Sequence, residues 1–175
     1  MEVIVDTCVL ISALMDEPNS GYCWEVLKLI RTKHITPITC EHLSREYICA
    51  PQKIARFKIK DNIHKIKNPE VLCEEVFESL YDISKDMVQI ISYGRNVEVV
   101  SKLKACVMDE KDNKLVDLAH DADCEVIITQ NLQHLGPINN KKIRTSKSKL
   151  LIKVYTPEEF YVYYNSKQWA KSLKP

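Results

Sequence analysis

The chain has 175 residues, of which 45% are hydrophobic and 28% are charged, and its formal net charge is +1 at pH 7. This composition excludes a disordered chain, and the length suits one domain with a single core. No apolar run approaches the roughly 20 residues of a membrane-spanning helix, and the N-terminus has no basic leader, so we expect a cytoplasmic protein without membrane contact. The seven cysteines are scattered without a C-x-x-C pair, which indicates reduced thiols rather than a zinc site.

Strands and helices are predicted to alternate along the first half of the chain. Residues 2–6 form an apolar strand that ends on Asp6, and a short helix follows. The next elements are a helix that begins at Asn19 or Ser20 with Cys23, Leu27 and Ile30 on one face, and a strand at 34–38. A helix capped by Thr39 follows, with Leu43, Tyr47 and Ala50 on one face, and then an acidic helix from Pro69 to Leu80. Pro51 is expected to end the helix that Thr39 caps, and a separate helix is expected to begin there. Residues 86–105 fit no single pattern.

The stretch Asp109–Asn131 predicts one helix–strand unit. Asp109 is expected to cap the helix and Asp112 to lie in its first turn, with four apolar residues on one face: Leu115, Leu118, Ala119 and Ala122. The β-branched run Glu125–Thr129 has the pattern of a buried strand. If this strand is parallel to the first, Asp6 and Thr129 lie at the end of the sheet where open α/β sheets bind ligands.

The C-terminal part completes an α/β domain. A basic loop at 134–149 leads to a strand at 150–155, and Thr156-Pro157-Glu158-Glu159 has the sequence of a capping box that begins a last helix. We predict a single domain over residues 1–165 and a frayed tail over 166–175. The predicted fold is a three-layer α/β/α arrangement with a mostly parallel central sheet flanked by helices.

Basic residues are concentrated in two segments, 53–67 and 141–153, although the chain as a whole is nearly neutral. Each segment alone is best explained as a solvated surface. Together, beside an acidic site, they favour binding of a polyanion through its phosphates. The candidate residues for such contacts to a nucleic acid are Arg56, Lys58, Lys141, Lys142 and Arg144.

Three carboxylates from separate parts of the chain can converge: Asp6, Glu46 and Asp112. Close carboxylates repel each other unless a proton or a cation lies between them. Ligands that offer only oxygen suit Mg²⁺ or Mn²⁺, and one or two such ions can activate water and neutralise charge on a phosphodiester. Thr129 is expected to orient Asp6 through a hydrogen bond.

The segments that carry these residues resemble the PIN domain, in particular its VapC-type, toxin-like branch. The similar stretches are VIVDTCVLISALM, MDEKDNKLVDLAHDADCEVIITQN and YTPEEFYVYY. The resemblance implies a parallel sheet flanked by helices and a metal-dependent ribonuclease site of three or four acidic residues. Asp6 matches the first acid, Glu46 the second, with Glu41 as a nearby alternative, and Asp112 the third. It also implies RNA as substrate, an antitoxin protein as a partner and a homodimer.

The sequence departs from the family pattern at the fourth acid, where Asn131 stands after Thr129-Gln130. The amide of Asn131 offers one neutral carbonyl oxygen and no charge, so it is at most a weak ligand and a support to the other ligands. The lost charge should weaken the binding of a second metal ion most. Taken alone, Asn131 is a turn residue and Thr129 a strand end.

The other candidates also have simpler explanations. Asp6 can cap the turn that follows its strand, and Asp112 can interact with the dipole of its helix. Glu46 can be a surface residue paired with His42 or Arg45. A functional role is favoured over these structural explanations only because Asp6, Glu46 and Asp112 occur together at the positions of the family pattern.

Two functions therefore compete. The first is a Mg²⁺- or Mn²⁺-dependent endoribonuclease that cleaves single-stranded RNA, as the toxin of a toxin–antitoxin pair. The second is a catalytically impaired module that kept the fold and binds RNA or protein, because Asn131 replaces the fourth acid. A phosphotransferase that uses Asp6 as its nucleophile is the weaker third hypothesis, because residue 8 is Cys and no glycine-rich phosphate loop is present.

Overall fold

The computed structural model describes residues 1–16, 20–60, 69–85, 87–89, 112–145 and 149–172. The strands are β1 (Glu2–Val5), β2 (Thr36–Thr39), β3 (Val88–Gln89), β4 (Val126–Ile128), β5 (Lys142–Arg144), β6 (Lys149–Leu151) and β7 (Lys153–Tyr155). The helices are α1 (Thr7–Ile11, continued by a π-helical turn at Ser12–Asp16), α2 (Gly21–Arg31), α3 (Glu41–Lys60), α4 (Pro69–Lys85), α5 (Asn113–Ala122), α6 (Leu132–Leu135, followed by a 3-10 turn at Gly136–Ile138) and α7 (Pro157–Ser172). Among the described helices, none is both long enough and apolar enough to span a membrane.

Within the described ranges, five strands form a parallel sheet in the order β3-β2-β1-β4-β7. Its central strand β1 is apolar, and Val3, Ile4 and Val5 have no exposed surface because helices and strands cover them on all sides. Parallel neighbours need crossover connections, and helices supply these between the strands. The predicted α/β fold with a parallel sheet flanked by helices is confirmed.

The register of β1 against β4 determines where the polar residues lie. Val5 is paired with Ile128, so Asp6 and Thr129 follow side by side at the carboxyl ends of neighbouring strands. The backbone N–H of Asp6 extends this ladder by donating to the carbonyl of Ile128 at 2.9 Å. The sheet therefore brings together two residues that are 123 positions apart in the sequence.

Tyr47 anchors α3 to the same end of the sheet. Its side chain is 1% exposed, and its hydroxyl donates to the backbone carbonyl of Val5 at 2.5 Å. Burial raises the pKa of this hydroxyl well above its usual value, so it remains a donor. The residue before it, Glu46, is thereby held near the end of β1.

The prediction that Pro51 ends the third helix is wrong, because α3 continues through this proline to Lys60. A proline inside a helix removes one backbone hydrogen bond and crowds the preceding turn. The packing of α3 along α4 offsets this cost, which a local sequence pattern does not reveal. The acidic helix is also longer than predicted and ends at Lys85.

The predicted strand at 150–155 is in fact two strands that belong to different sheets. Lys149–Leu151 pairs antiparallel with Lys142–Arg144, whereas Lys153–Tyr155 joins the main sheet beside β4. Ile152 separates them, and its N–H donates to the carbonyl of Lys141 at 3.0 Å. The segment predicted as a basic loop thus holds a short helix, a 3-10 turn and a hairpin strand.

The capping box of the last helix is confirmed. The backbone N–H of Thr156 donates to Glu159 Oε2 at 2.9 Å, and the N–H of Glu159 donates to Thr156 Oγ1 at 3.1 Å. The helix extends to Ser172, past the predicted domain end at residue 165. The expected cap Asp109 and most of the unassigned segment 86–105 lie outside the described residues, although β3 falls within that segment.

Candidate functional site

Asp6 lies at the carboxyl end of β1 and is 8% exposed. It occupies the cap position of α1, but its side chain forms no capping hydrogen bond. Instead, Thr129 Oγ1 donates to Asp6 Oδ2 at 2.7 Å, which is the hydrogen bond expected from the sequence. The simpler explanation of Asp6 as a helix cap therefore does not hold, and its carboxylate faces β4.

Thr129 also connects to the residue in the fourth acidic position. The N–H of Asn131 donates to Thr129 Oγ1 at 2.9 Å, so the threonine hydroxyl accepts from one side of the site and donates to the other. Thr129 itself has no exposed surface. A buried hydroxyl with both roles satisfied has little freedom to rotate, and the loop after β4 is consequently held in a defined position relative to Asp6.

Cys8 contributes a thiol to the same cluster. Its Sγ lies 3.9 Å from Thr129 Oγ1. Burial, and next to it the negative charge of Asp6, raise the pKa of this thiol from 9.0 to about 12. The group is therefore a neutral thiol near neutral pH, not a thiolate nucleophile.

Asp112 forms a second polar cluster with residues of the loop after β4. Its Oδ2 accepts from Asn131 Nδ2 at 3.2 Å and lies 3.1 Å from His134 Nδ1, and Asn131 Nδ2 is 2.7 Å from the same imidazole nitrogen. Asp112 is the cap residue of α5 rather than a residue of its first turn, and its side chain forms no capping hydrogen bond. Its carboxylate is directed to the loop, not to its own helix.

His134 is the site residue that sequence reasoning missed. It has no ligand spacing with the cysteines, and the sequence predicts a loop at its position. His134 lies three residues after Asn131 in the sequence. The short helix α6, which begins after Asn131, brings both side chains close enough to contact Asp112. The usable signal was this spacing of three residues, which is informative only once a helix is known to begin there.

Glu46 forms an ion pair with Lys114, the second residue after Asp112. Its rival Glu41 instead pairs with Arg45 at 2.6 Å, and both of those side chains are more than two-thirds exposed. The helix α3 thus directs Glu46, and not Glu41, towards α5. The expected pairing of Glu46 with His42 or Arg45 is not what the structure shows.

The donor groups fit a hard divalent cation in chemical type, because they are carboxylates and an amide. Among the described residues, however, these groups do not form a complete set of metal ligands. Within the described ranges, no group of three or more His, Cys, Asp or Glu side chains is close enough together to hold a metal ion. Asn131 presents its amide nitrogen to Asp112, and Lys114 balances the charge of Glu46. Metal ligation by Asp6, Glu46, Asp112 and Asn131 therefore remains a prediction.

The candidate RNA-binding residues lie on two elements. Arg56 and Lys58 belong to the second half of α3. Lys141 precedes β5 and Lys142 begins it, and both side chains are exposed, while Arg144 ends this strand. Their contact with RNA is a prediction.

Comparison with known proteins agrees with this architecture. A family model for the PIN domain matches residues 2–133, about three quarters of the chain. No curated protein matches the chain. A solved structure that does match is VapBC2 from Rickettsia felis bound to a DNA fragment from their promoter, with 14% identity, coverage of 88% of this chain and 98% of that chain, and a TM-score of 0.51. At this identity the likeness shows the fold, whereas the family model shows the membership. The chain belongs to the PIN domain family.

Proposed function

We propose that the protein is a metal-dependent endoribonuclease that cleaves single-stranded RNA in the cytoplasm. The observation that carries this proposal is the hydrogen-bonded connection from Asp6 through Thr129 to Asn131 and on to Asp112. It holds two carboxylates from distant parts of the chain around one loop at the ligand-binding end of the sheet. A purely structural role would not require both carboxylates to turn away from the helices that they begin.

Asp6 and Asp112 are the proposed principal ligands of Mg²⁺ or Mn²⁺, with Glu46 as a third ligand and Asn131 as a weak one. A bound ion would supply activation of water and stabilisation of charge on the scissile phosphate. Thr129 holds Asp6, whereas Asn131 and His134 hold Asp112. The proposed contacts to the RNA backbone come from Arg56, Lys58, Lys141, Lys142 and Arg144.

The test is cleavage of an end-labelled single-stranded RNA in the presence of Mn²⁺, Mg²⁺ or a chelator. Asp6→Asn and Asp112→Asn should each lower the rate by about a hundredfold or more, because each removes a charge from the metal site. Asp82→Asn is the matched control, since Asp82 is an exposed carboxylate on α4. Cleavage that persists in both site variants, or in the chelator, would overturn the proposal.

We further propose that the protein acts as a toxin held in check by an antitoxin. The support is the fold shared with VapBC2, whose structure was determined with DNA from its promoter. Production of the wild-type protein should arrest bacterial growth, and production of Asp6→Asn should not. We also propose a homodimer, so sedimentation should give a mass twice the 20.3 kDa of one chain.

A second candidate is a catalytically impaired module that binds RNA or protein. Two observations favour it: Asn131 replaces an acid, and Lys114 neutralises Glu46. Calorimetric titration of Mn²⁺ into the wild type and Asp6→Asn separates the two candidates. Binding that the substitution abolishes supports the nuclease, whereas RNA binding without metal binding or cleavage supports the module.

A further inference from the structure

A cavity of about 520 Å³ opens beside the acidic site. Its walls come from the π-helical turn after α1, the start of α2, the loop after β4 and the start of α7. Side chains that line it include Ser12, Tyr22, Gln130, Thr156 and Glu158. The volume lies within the range of roughly 300–1,000 Å³ that is typical of small-molecule sites.

Gln130 lines the cavity and belongs to the loop that carries the acidic site. This residue lies between Thr129, which holds Asp6, and Asn131, which holds Asp112. A group bound against Gln130 would therefore be a close neighbour of both carboxylates. For a chain molecule such as RNA, one nucleotide could occupy the cavity while an adjoining phosphate lies at the acidic site.

The polar groups of the cavity suit an uncharged ligand that forms hydrogen bonds. Ser12 Oγ donates to Gln130 Oε1 at 2.9 Å, which fixes the amide and directs its nitrogen as a donor. Glu158 is exposed and is the one charged side chain among the described lining residues. A carboxylate repels phosphate but accepts N–H groups, so the cavity discriminates against the backbone of RNA and in favour of a base.

An aromatic surface forms part of the same wall. Tyr22 is 43% exposed, and its ring centroid lies 6.0 Å from that of Tyr161, with the planes inclined at 54°. The second ring limits the movement of the first, so the exposed face of Tyr22 is held in position. Unstacked bases of single-stranded RNA bind on such faces.

We propose that this cavity is a base-binding subsite that selects guanine next to the scissile phosphate. Guanine carries two adjacent N–H groups on its Watson–Crick edge, and these match the two oxygens of the Glu158 carboxylate. Adenine, cytosine and uracil lack such a pair of adjacent donors. The subsite rests on the proposed ribonuclease function, because its position relative to the cut depends on the acidic site.

The test measures binding and cleavage separately. Calorimetry with GMP, AMP, CMP and UMP in the absence of metal should show GMP binding about tenfold more tightly than the others, as expected for one bidentate pair. Glu158→Gln should remove this preference. Glu125→Gln is the matched control, since Glu125 is exposed and precedes β4 at the opposite end of the sheet. Tyr22→Ala should weaken the binding of all four nucleotides, whereas Tyr22→Phe should retain it.

Sequencing of the cleavage products completes the test. Cleavage at a fixed position relative to guanosine that Glu158→Gln abolishes, and that Glu125→Gln retains, supports the subsite. Cleavage positions that depend neither on the identity of the base nor on the Glu158→Gln substitution overturn the subsite but leave the ribonuclease proposal intact. GMP binding that Glu158→Gln abolishes, in a protein that cleaves no RNA, supports the subsite and overturns the nuclease. Equal binding of all four nucleotides overturns the base selectivity.

Discussion

Thr129 Oγ1 donates a hydrogen bond of 2.7 Å to Asp6 Oδ2, and these two residues lie on adjacent parallel strands although 123 positions separate them in the sequence. Asp6 is 8% exposed and Thr129 is fully buried. A buried carboxylate is stabilised by donors directed at it, and here one donor comes from the neighbouring strand. The contact therefore links the integrity of the sheet to the geometry of the candidate metal site.

Replacing Thr129 by Val should destabilise the protein and weaken metal binding. The change keeps the shape but removes the donor to Asp6, which costs about 1–3 kcal/mol when a buried partner is left unsatisfied. Loss of a group that orients a ligand should lower the Mn²⁺ affinity by about 10–100-fold. Urea unfolding and calorimetry measure the two effects, and Thr129→Ser is the control that should retain both. Unchanged stability and affinity in Thr129→Val would contradict this role.

Asn131→Asp should strengthen metal binding and lower the stability of the metal-free protein. The new carboxylate would lie beside Asp112, where like charges repel unless a cation separates them. Calorimetry should show tighter Mn²⁺ binding and a higher stoichiometry than in the wild type. Asn139→Asp provides the matched control, because the side-chain oxygen of Asn139 accepts from the N–H of Val154 and an aspartate can do the same. A stoichiometry that does not change would argue against Asn131 as the position of the missing ligand.

Lys114→Met should raise the affinity for Mn²⁺, because the ammonium group competes with a cation for Glu46. The pair is partly buried, with 21% of the lysine side chain and 37% of the glutamate side chain exposed. Lys28→Met is a suitable control, since Lys28 forms a pair with Glu25 at 2.8 Å on the surface of α2. Such a surface pair contributes at most about 1 kcal/mol and has no connection to the site. Weaker metal binding in Lys114→Met would show that the lysine supports the site instead.

Stability should fall with rising pH between about 9 and 11 in part because of Cys124. Burial raises the pKa of this thiol from 9.0 in a free thiol to about 11 in the folded state. In that window the unfolded chain loses the proton while the folded protein keeps it, so the unfolded state binds fewer protons and unfolding becomes more favourable. The contribution is present in full below pH 9 and is lost as the pH approaches 11, at a rate of at most about 1.4 kcal/mol per pH unit.

Urea unfolding as a function of pH checks this contribution. The slope of the unfolding free energy should be shallower in Cys124→Ala than in the wild type, whereas Cys49→Ala should not change it, because Cys49 is exposed. At pH 8 iodoacetamide should modify Cys49 well before Cys124, which peptide mapping detects. Equal rates of modification would contradict the burial of Cys124.

The sequence by itself determined the elements whose evidence is local. The apolar run of β1 and the β-branched run of β4 predicted buried parallel strands, because strands covered on both faces contain few polar residues. The capping box at Thr156 and Glu159 could also be predicted from the sequence, since its two hydrogen bonds join residues that are only three positions apart. Asp6 and Thr129 could be placed together for the same reason, as both end strands that the crossover rule makes parallel.

The tertiary structure alone decided the features that depend on contacts between distant segments. Pro51 lies within a continuous helix because α3 packs along α4, which outweighs a local preference. His134 joins the site because the chain after β4 turns into a helix, and Glu46 faces α5 because Tyr47 fixes α3 to the end of β1. These outcomes depend on free energies of packing and of hydrogen bonds made across the fold. The sequence pattern of one segment does not identify the distant segment against which it packs.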